Sequence, residues 1–249
     1  MTFENKTFIV TGAGGGMGEE TVKLLLDNGA NVAGCDLHTD NLSKYKNTNK
    51  FIAFKGDLLD EDIVKDIFKE TANQFGNIDG LVNIAGIAQS ATSIDEVSLD
   101  EWQRIMDINT TMMFLTCREA SVYMKEKKQG SIINIGSVSA TRPRPGLQSY
   151  VASKGAVEAF SKALALELAP YQINVNILHP GPSDTTMLGQ FSAESASVDQ
   201  TKKEIFEKSV PLGSLLKPEN IAHSIKYLLS DEAKMVTGAV LHVDGGRNI

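Results

Sequence analysis

Tyr150 and Lys154 stand four residues apart, and Ser137 precedes the tyrosine by thirteen. On a helix a spacing of four is about one turn, so both side chains emerge on one face. A free phenol has a pKa of about 10 and is a poor base at neutral pH. An ammonium about 4 Å away, at an effective dielectric near 20, is worth about 4 kcal/mol to the phenolate. That brings tyrosine into the range where it exchanges a proton during a reaction. A serine hydroxyl can hold the reacting oxygen and stabilise the charge that develops there. Taken alone, such a Tyr–Lys pair reads first as incidental neighbours on an exposed helix, so its surroundings must decide.

A second feature lies near the other end. Residues 6–11 form a short β-branched and aromatic run, which predicts a buried strand. Gly12, Gly14, Gly15, Gly16 and Gly18 follow, with Ala13 and Met17 between them. Val22, Leu25 and Leu26 then mark one face of a helix over 19–28. A strand, a glycine turn and a helix N-terminus let backbone approach a pyrophosphate and offer N–H groups to its charge. An ordinary tight turn could carry the same glycines, but a further strand over 31–35 ends at Asp36. An acid about 20 residues past the glycines can hydrogen-bond a ribose 2′-hydroxyl. The same carboxylate would repel a 2′-phosphate, and neither Leu37 nor Gly15 supplies a cation, so NAD is favoured over NADP.

With these residues, the chain resembles the short-chain dehydrogenase/reductase family over essentially its whole length. Gly12, Gly16 and Gly18 match the TGxxxGxG motif, and Asp57, followed by Leu58, matches the acid that contacts adenine. Asn83, Ala85 and Gly86 match the NNAG segment, and Asn109, Ser137, Tyr150 and Lys154 match the catalytic tetrad. Pro180-Gly181 matches the PG after the sixth strand. Two departures stand out: Ile84 replaces the second asparagine of NNAG, and Ser183 takes an aliphatic position, while Thr185 keeps the threonine. The resemblance implies a bend at Asn109 holding a water that links Lys154 to solvent. It also implies that Lys154 holds the nicotinamide ribose, with Thr185 and the 181–183 backbone near the nicotinamide. A homotetramer is the implied assembly, pairing the helices over 99–127 and 148–169 and packing 236–248 across a second axis.

The chain has 249 residues, a net charge of −7 and a pI near 5.2. That balance argues against nucleic acid or an anionic membrane as partner. No apolar run approaches the roughly 20 residues of a membrane span, and the first residues lack the pattern of a signal peptide. Cys35 and Cys117 read as buried, reduced thiols, which fits a cytoplasmic location. Four scattered histidines offer no metal-ligand spacing, and no metal is expected.

The elements that must position these residues alternate. Strands are predicted over 51–55, 78–84, 131–135, 173–178 and 239–243, and helices over 60–75, 99–127, 148–169 and 218–229. The pattern predicts a single-domain α/β chain over 1–249: a Rossmann-like, doubly wound parallel sheet of about seven strands with helices on both faces. Ligands of such sheets bind at the carboxyl ends of the strands. Gly12, Asp36, Asp57, Asn83, Ser137 and Pro180 all fall there. The stretch over 182–210 is small and polar at its centre and is expected to be a substrate lid, with a short helix over 199–209; a plain surface loop is the alternative.

The expected reaction passes a hydride between NAD(H) and a small secondary alcohol or ketone, with Tyr150 as general acid/base. The substrate pocket is expected to draw on Gln89, Ser139, Arg142, Arg144, Gln148 and Met187. Arg142 and Arg144 could attract an anionic group, although loop arginines are more often simply solvated. A 3-oxoacyl-acyl-carrier-protein reductase and a non-catalytic NAD-binding sensor stand as alternatives. Asp36 argues against the first, and the intact tetrad against the second.

Overall fold

Short β-branched and apolar runs become the strands, because each is too brief for a helix and flanked by glycine, aspartate or asparagine. They are β1 (Thr7–Thr11), β2 (Asn31–Asp36), β3 (Phe51–Lys55), β4 (Gly80–Asn83), β5 (Gly130–Ile135), β6 (Ile173–Pro180) and β7 (Val240–Val243). The computed structural model describes residues 2–191 and 209–249. The strands form one sheet in the order β3-β2-β1-β4-β5-β6-β7, and each pairing is parallel. The chain is thus the Rossmann-like α/β domain its sequence predicts.

Parallel pairing requires crossovers, and helices supply them on both faces. On one face α1 (Gly16–Asp27) and α6 (Pro218–Leu229) cover Phe8, Val10, Val32, Val82 and Ile133. On the other, α2 (Glu61–Phe75), α4 (Met112–Lys127) and α5 (Gln148–Leu168) cover Ile9, Ala33, Leu81, Ile132 and Val175. Successive strand residues point to opposite faces, so a strand buried on both sides must be apolar at nearly every position. All five residues of β1 are buried accordingly.

The single helix expected over 99–127 is not what forms. α3 (Leu99–Met106) and α4 are joined by a π-helical turn, Asp107–Thr111. The wider turn carries Asn109 inward, where it is 2% exposed, instead of leaving it on a solvent-facing surface.

A buried polar chain crosses the sheet beneath the strand ends. Asn83 Nδ2 donates to Asn134 Oδ1 at 2.9 Å, Thr116 Oγ1 donates to Asn83 Oδ1 at 2.8 Å, and Asn134 Nδ2 donates to Ser161 Oγ at 2.9 Å. These bonds tie β4 and β5 to α4 and α5. Removing one member strands its partners without water. Asn83→Ala is therefore expected to lower stability by about 1–3 kcal/mol, read as a fall in the urea midpoint with the slope unchanged.

Candidate active site

The loop after β1 can exist only because of its glycines. Gly12 has φ +67°, and a Cβ there would lie 2.7 Å from Ala85 N; a Cβ on Gly18 would lie 2.0 Å from Gly12 O. The close approach brings the 84–86 backbone beside the start of α1. The N-cap of that helix, Gly15, has no side-chain hydrogen bond to the first turn, so its N–H groups remain for an anion. Asp36 closes β2, its Oδ2 accepting from Gly14 N at 2.9 Å and its Oδ1 from His38 N at 2.9 Å. This cradle and the fold around it are those of a nucleotide-cofactor site.

A cavity of about 390 Å³ runs along the carboxyl edge of the sheet. Its walls include Gly12, Gly15, Gly16, Met17, Gly18, Asp36, Leu37, Asp57, Leu58, Ala85, Gly86, Ser137, Tyr150, Lys154, Pro180, Gly181, Ser183 and Thr185. Ser139, Arg144 and Met187 also line it. The remaining expected site residues do not line the cavity. Gly14 holds Asp36, and Asn83 belongs to the polar chain under the sheet. Arg142 is exposed and donates from its Nη1 to the carbonyl of Arg247. Gln148, at the start of α5, is also outside the lining.

Gln89 and Asn109 act on the reacting helix from behind. Gln89, 1% exposed, accepts from Tyr150 N through Oε1 at 3.0 Å. It thus caps α5, whose own N-cap, Leu147, has no side chain to do so. Asn109 accepts from Ile87 N at 2.8 Å and donates to Ile87 O and to Ser153 Oγ, each at 3.0 Å. Ser153 in turn donates to Tyr150 O at 2.8 Å. Both amide protons of Asn109 are thereby used, so a water at this residue would have to be the donor, to Oδ1 or to the backbone carbonyl.

The electrostatics differ from the expectation in one respect. Burial pushes the Tyr150 phenol above its ordinary value, and the Ser137 hydroxyl, hydrogen-bonded to it, pulls the other way. Lys154 Nζ lies 5.9 Å from the centroid of the phenol ring and donates to Ile135 O at 2.9 Å. Burial also lowers this ammonium to about 8. In so dry a site desolvation penalises phenolate and ammonium alike, and it is the largest influence on each. Ser137 is fixed by accepting from Ser139 N at 3.1 Å.

Several walls went unrecognised in the sequence. Phe191 meets Tyr150 edge-to-face at 5.0 Å, at the end of a 3₁₀ turn, Thr186–Phe191, that also supplies Met187 and Leu188. This is the first part of the expected lid; residues 192–208, with most of the short helix foreseen over 199–209, lie outside the described residues. Ser183, in its aliphatic position, turns its hydroxyl to Gly181 O at 3.0 Å. Arg247 was missed as well, although it follows β7 at the same edge as the other sites. Among the described residues no cluster of ligating side chains could hold a metal ion, and no helix is long and apolar enough to cross a membrane.

Comparison with known proteins agrees with this fold. A family model described as enoyl-(acyl carrier protein) reductase matches residues 12–248. The 2,3-dihydro-2,3-dihydroxybenzoate dehydrogenase of Bacillus subtilis is 35% identical over 99% of this chain and 97% of its own. The 3-oxoacyl-[acyl-carrier-protein] reductase of Thermotoga maritima is 32% identical over 99% of each. The crystal structure of a 3-ketoacyl-(acyl-carrier-protein) reductase from Brucella melitensis, complexed with NADH, superposes with a TM-score of 0.92 at 35% identity, covering 100% of both chains.

The buried ammonium has a consequence for stability. Lys154 titrates near 10.5 when unfolded and at about 8 when folded. Between those values the unfolded chain holds the extra proton, so this residue makes stability rise with pH across that window. Urea melts of the native protein and Lys154→Met at pH 7.5 and pH 10 should show the native protein gaining on the variant at the higher pH. A constant difference would contradict a buried, charged Lys154.

Proposed function

The chain belongs to the short-chain dehydrogenase/reductase family of oxidoreductases, and on that premise we propose that it passes a hydride between NAD(H) and a small secondary alcohol or ketone. The observation that carries this reading is the meeting of Ser137, Tyr150 and Lys154 in one cavity with the glycine cradle of α1. Bound NAD⁺ would supply the hydride acceptor and a positive ring. Everything else falls to the chain. Ser137 holds the substrate oxygen. Tyr150 takes the alcohol proton, helped by Lys154, which also steadies the nicotinamide ribose. Thr185, whose Cγ2 would lie 3.7 Å from a Cβ on Gly16, covers the cradle. NAD is favoured over NADP because the Asp36 carboxylate would repel a 2′-phosphate, and among the described residues no lysine or arginine lines that end.

A second reading is reduction of 3-oxoacyl groups on acyl carrier protein, favoured by the likeness to two such reductases. The relative complexed with NADH means that cofactor choice alone does not separate the readings. Small alcohols against acetoacetyl thioesters will. A non-catalytic NAD sensor would turn over neither.

The exposed Phe114, Val122 and Leu166 on α4 and α5 favour self-association through these helices, and a homotetramer is the assembly proposed. Light scattering should then give four times the chain mass of 26.9 kDa; the mass of one chain would refute it. For the reaction, reduction of NAD⁺ across a panel of secondary alcohols should give turnover, with NADP⁺ supporting far less. Tyr150→Phe should lower kcat/KM by about 10²–10⁴-fold while NADH binding, measured by fluorescence, stays near that of the native protein. Unchanged turnover in that variant would sink the mechanism.

A further inference from the structure

We propose that Phe191 is a positioning residue for the proton transfer: its ring, set edge-to-face on Tyr150, keeps water from the phenol until substrate and cofactor are in place. This rests on the dehydrogenase reading above and adds a residue to its machinery. Phe191 lines the cavity beside Tyr150, and the two ring centroids are 5.0 Å apart at an interplanar angle of 73°. Ser137 and Lys154 also meet the phenol, and both are polar. Ser137 is hydrogen-bonded to its hydroxyl, and Lys154 Nζ stands 5.9 Å from its ring centroid. Phe191 has no donor or acceptor to offer, so its ring takes space beside the phenol without replacing the hydrogen bonds of water.

The turn that carries the ring is pinned from several directions. Leu188, buried in the cavity wall, anchors the Thr186–Phe191 turn, and its N–H donates to Thr185 O at 3.1 Å. Ser90 Oγ donates to Gln190 O at 3.5 Å, which ties the residue before Phe191 to the loop after β4. Upstream, Asp184 N donates to Leu216 O at 2.8 Å and Leu216 N to Pro182 O at 2.9 Å. Tyr150 is 5% exposed although it lines the cavity. Burial is the largest influence on its phenol and raises it, with Ser137 opposing. The other titratable groups on the cavity wall are Arg144, Lys154 and Arg247 towards the late strands, and Cys35, Asp36 and Asp57 towards the early ones. A dry phenol keeps its proton until charge is brought beside it, which limits exchange with water between turnovers.

The phenol can be titrated directly. Phenolate absorbance is followed against pH, and subtracting the same protein bearing Tyr150→Phe isolates this phenol from the other tyrosines. Phe191→Ala should move its midpoint down by about one pH unit, because water then solvates the phenolate. Phe191→Leu, which keeps an apolar cover, should stay near the native midpoint. In alcohol oxidation the rise of kcat/KM with pH should move down by the same amount in Phe191→Ala and hold in Phe191→Leu. A midpoint unchanged or raised in Phe191→Ala overturns the proposal. So does an equal fall in both variants, or a loss of kcat/KM whose pH profile does not move, the mark of a mere substrate contact. NADH titration of each variant shows that it folds. Absence of turnover by the native chain would instead strike the dehydrogenase reading, and the absorbance titration, which needs no substrate, still decides the role of Phe191.

Discussion

One side-chain amide fixes the geometry on which the site depends. Asn109 makes three hydrogen bonds, two to the backbone of Ile87 and one to Ser153, and so joins the loop after β4 to the helix that bears Tyr150 and Lys154. The neighbouring Gln89 grips the same helix at Tyr150 N. The loop over 84–89 thus holds the first turns of α5 from two sides. Each of these polar groups is buried, and leaving one without its partner costs about 1–3 kcal/mol, so the arrangement is stiff. A π turn forfeits regular helical bonding, and its presence at Asp107–Thr111 is explained by what it delivers. A regular helix would rotate Asn109 away from Ile87.

The dryness that makes these bonds stiff also governs the proton chemistry. Burial disfavours the phenolate of Tyr150 and the ammonium of Lys154 together. His179 lies close enough to interact with Lys154, and burial, against the pull of Glu158, brings it down to about 4. It is therefore neutral at ordinary pH and adds no second positive charge behind the tyrosine. Lys154, at about 8, keeps its proton near neutrality but holds it less firmly than a surface lysine. A site built this way does not store a preformed phenolate, so in the proposed reaction the tyrosine proton would move together with the hydride.

Much of this was legible in the sequence, for reasons particular to each residue type. The strands were readable because a two-sided buried sheet admits little but apolar side chains. The cradle was readable because Gly12 and Gly18 have backbone neighbours where a Cβ would stand, so no other residue fits. Spacing alone placed only Tyr150 and Lys154 together, on one face of α5; Asn109 and Ser137 stand on other elements, and the family resemblance pointed to them. The π turn was not readable from the residues, since a one-residue change in helical period leaves no mark in the hydrophobic pattern around Ile105, Ile108 and Met112; only the resemblance pointed to a bend at Asn109. Gln89 was singled out for the substrate, but it serves as a cap supplied from another element, which local spacing cannot reveal. Arg247 could have been found: it follows the last strand, and the rule that drew attention to Asp36 and Pro180 applies equally to the end of β7.

That rule also explains why the cavity has a direction. The strand order fans outward from β1, so early strands deliver their loops to one side and late strands to the other. Asp36 and Asp57 fall on the early side; Arg144, Lys154 and Arg247 fall on the late side. The two sides are chemically unlike before any ligand enters, and a molecule with unlike ends can settle in only one orientation. Ser183 reinforces the asymmetry. By turning its hydroxyl onto Gly181 O it keeps the late side closed by a short polar contact where an aliphatic residue would have offered apolar packing.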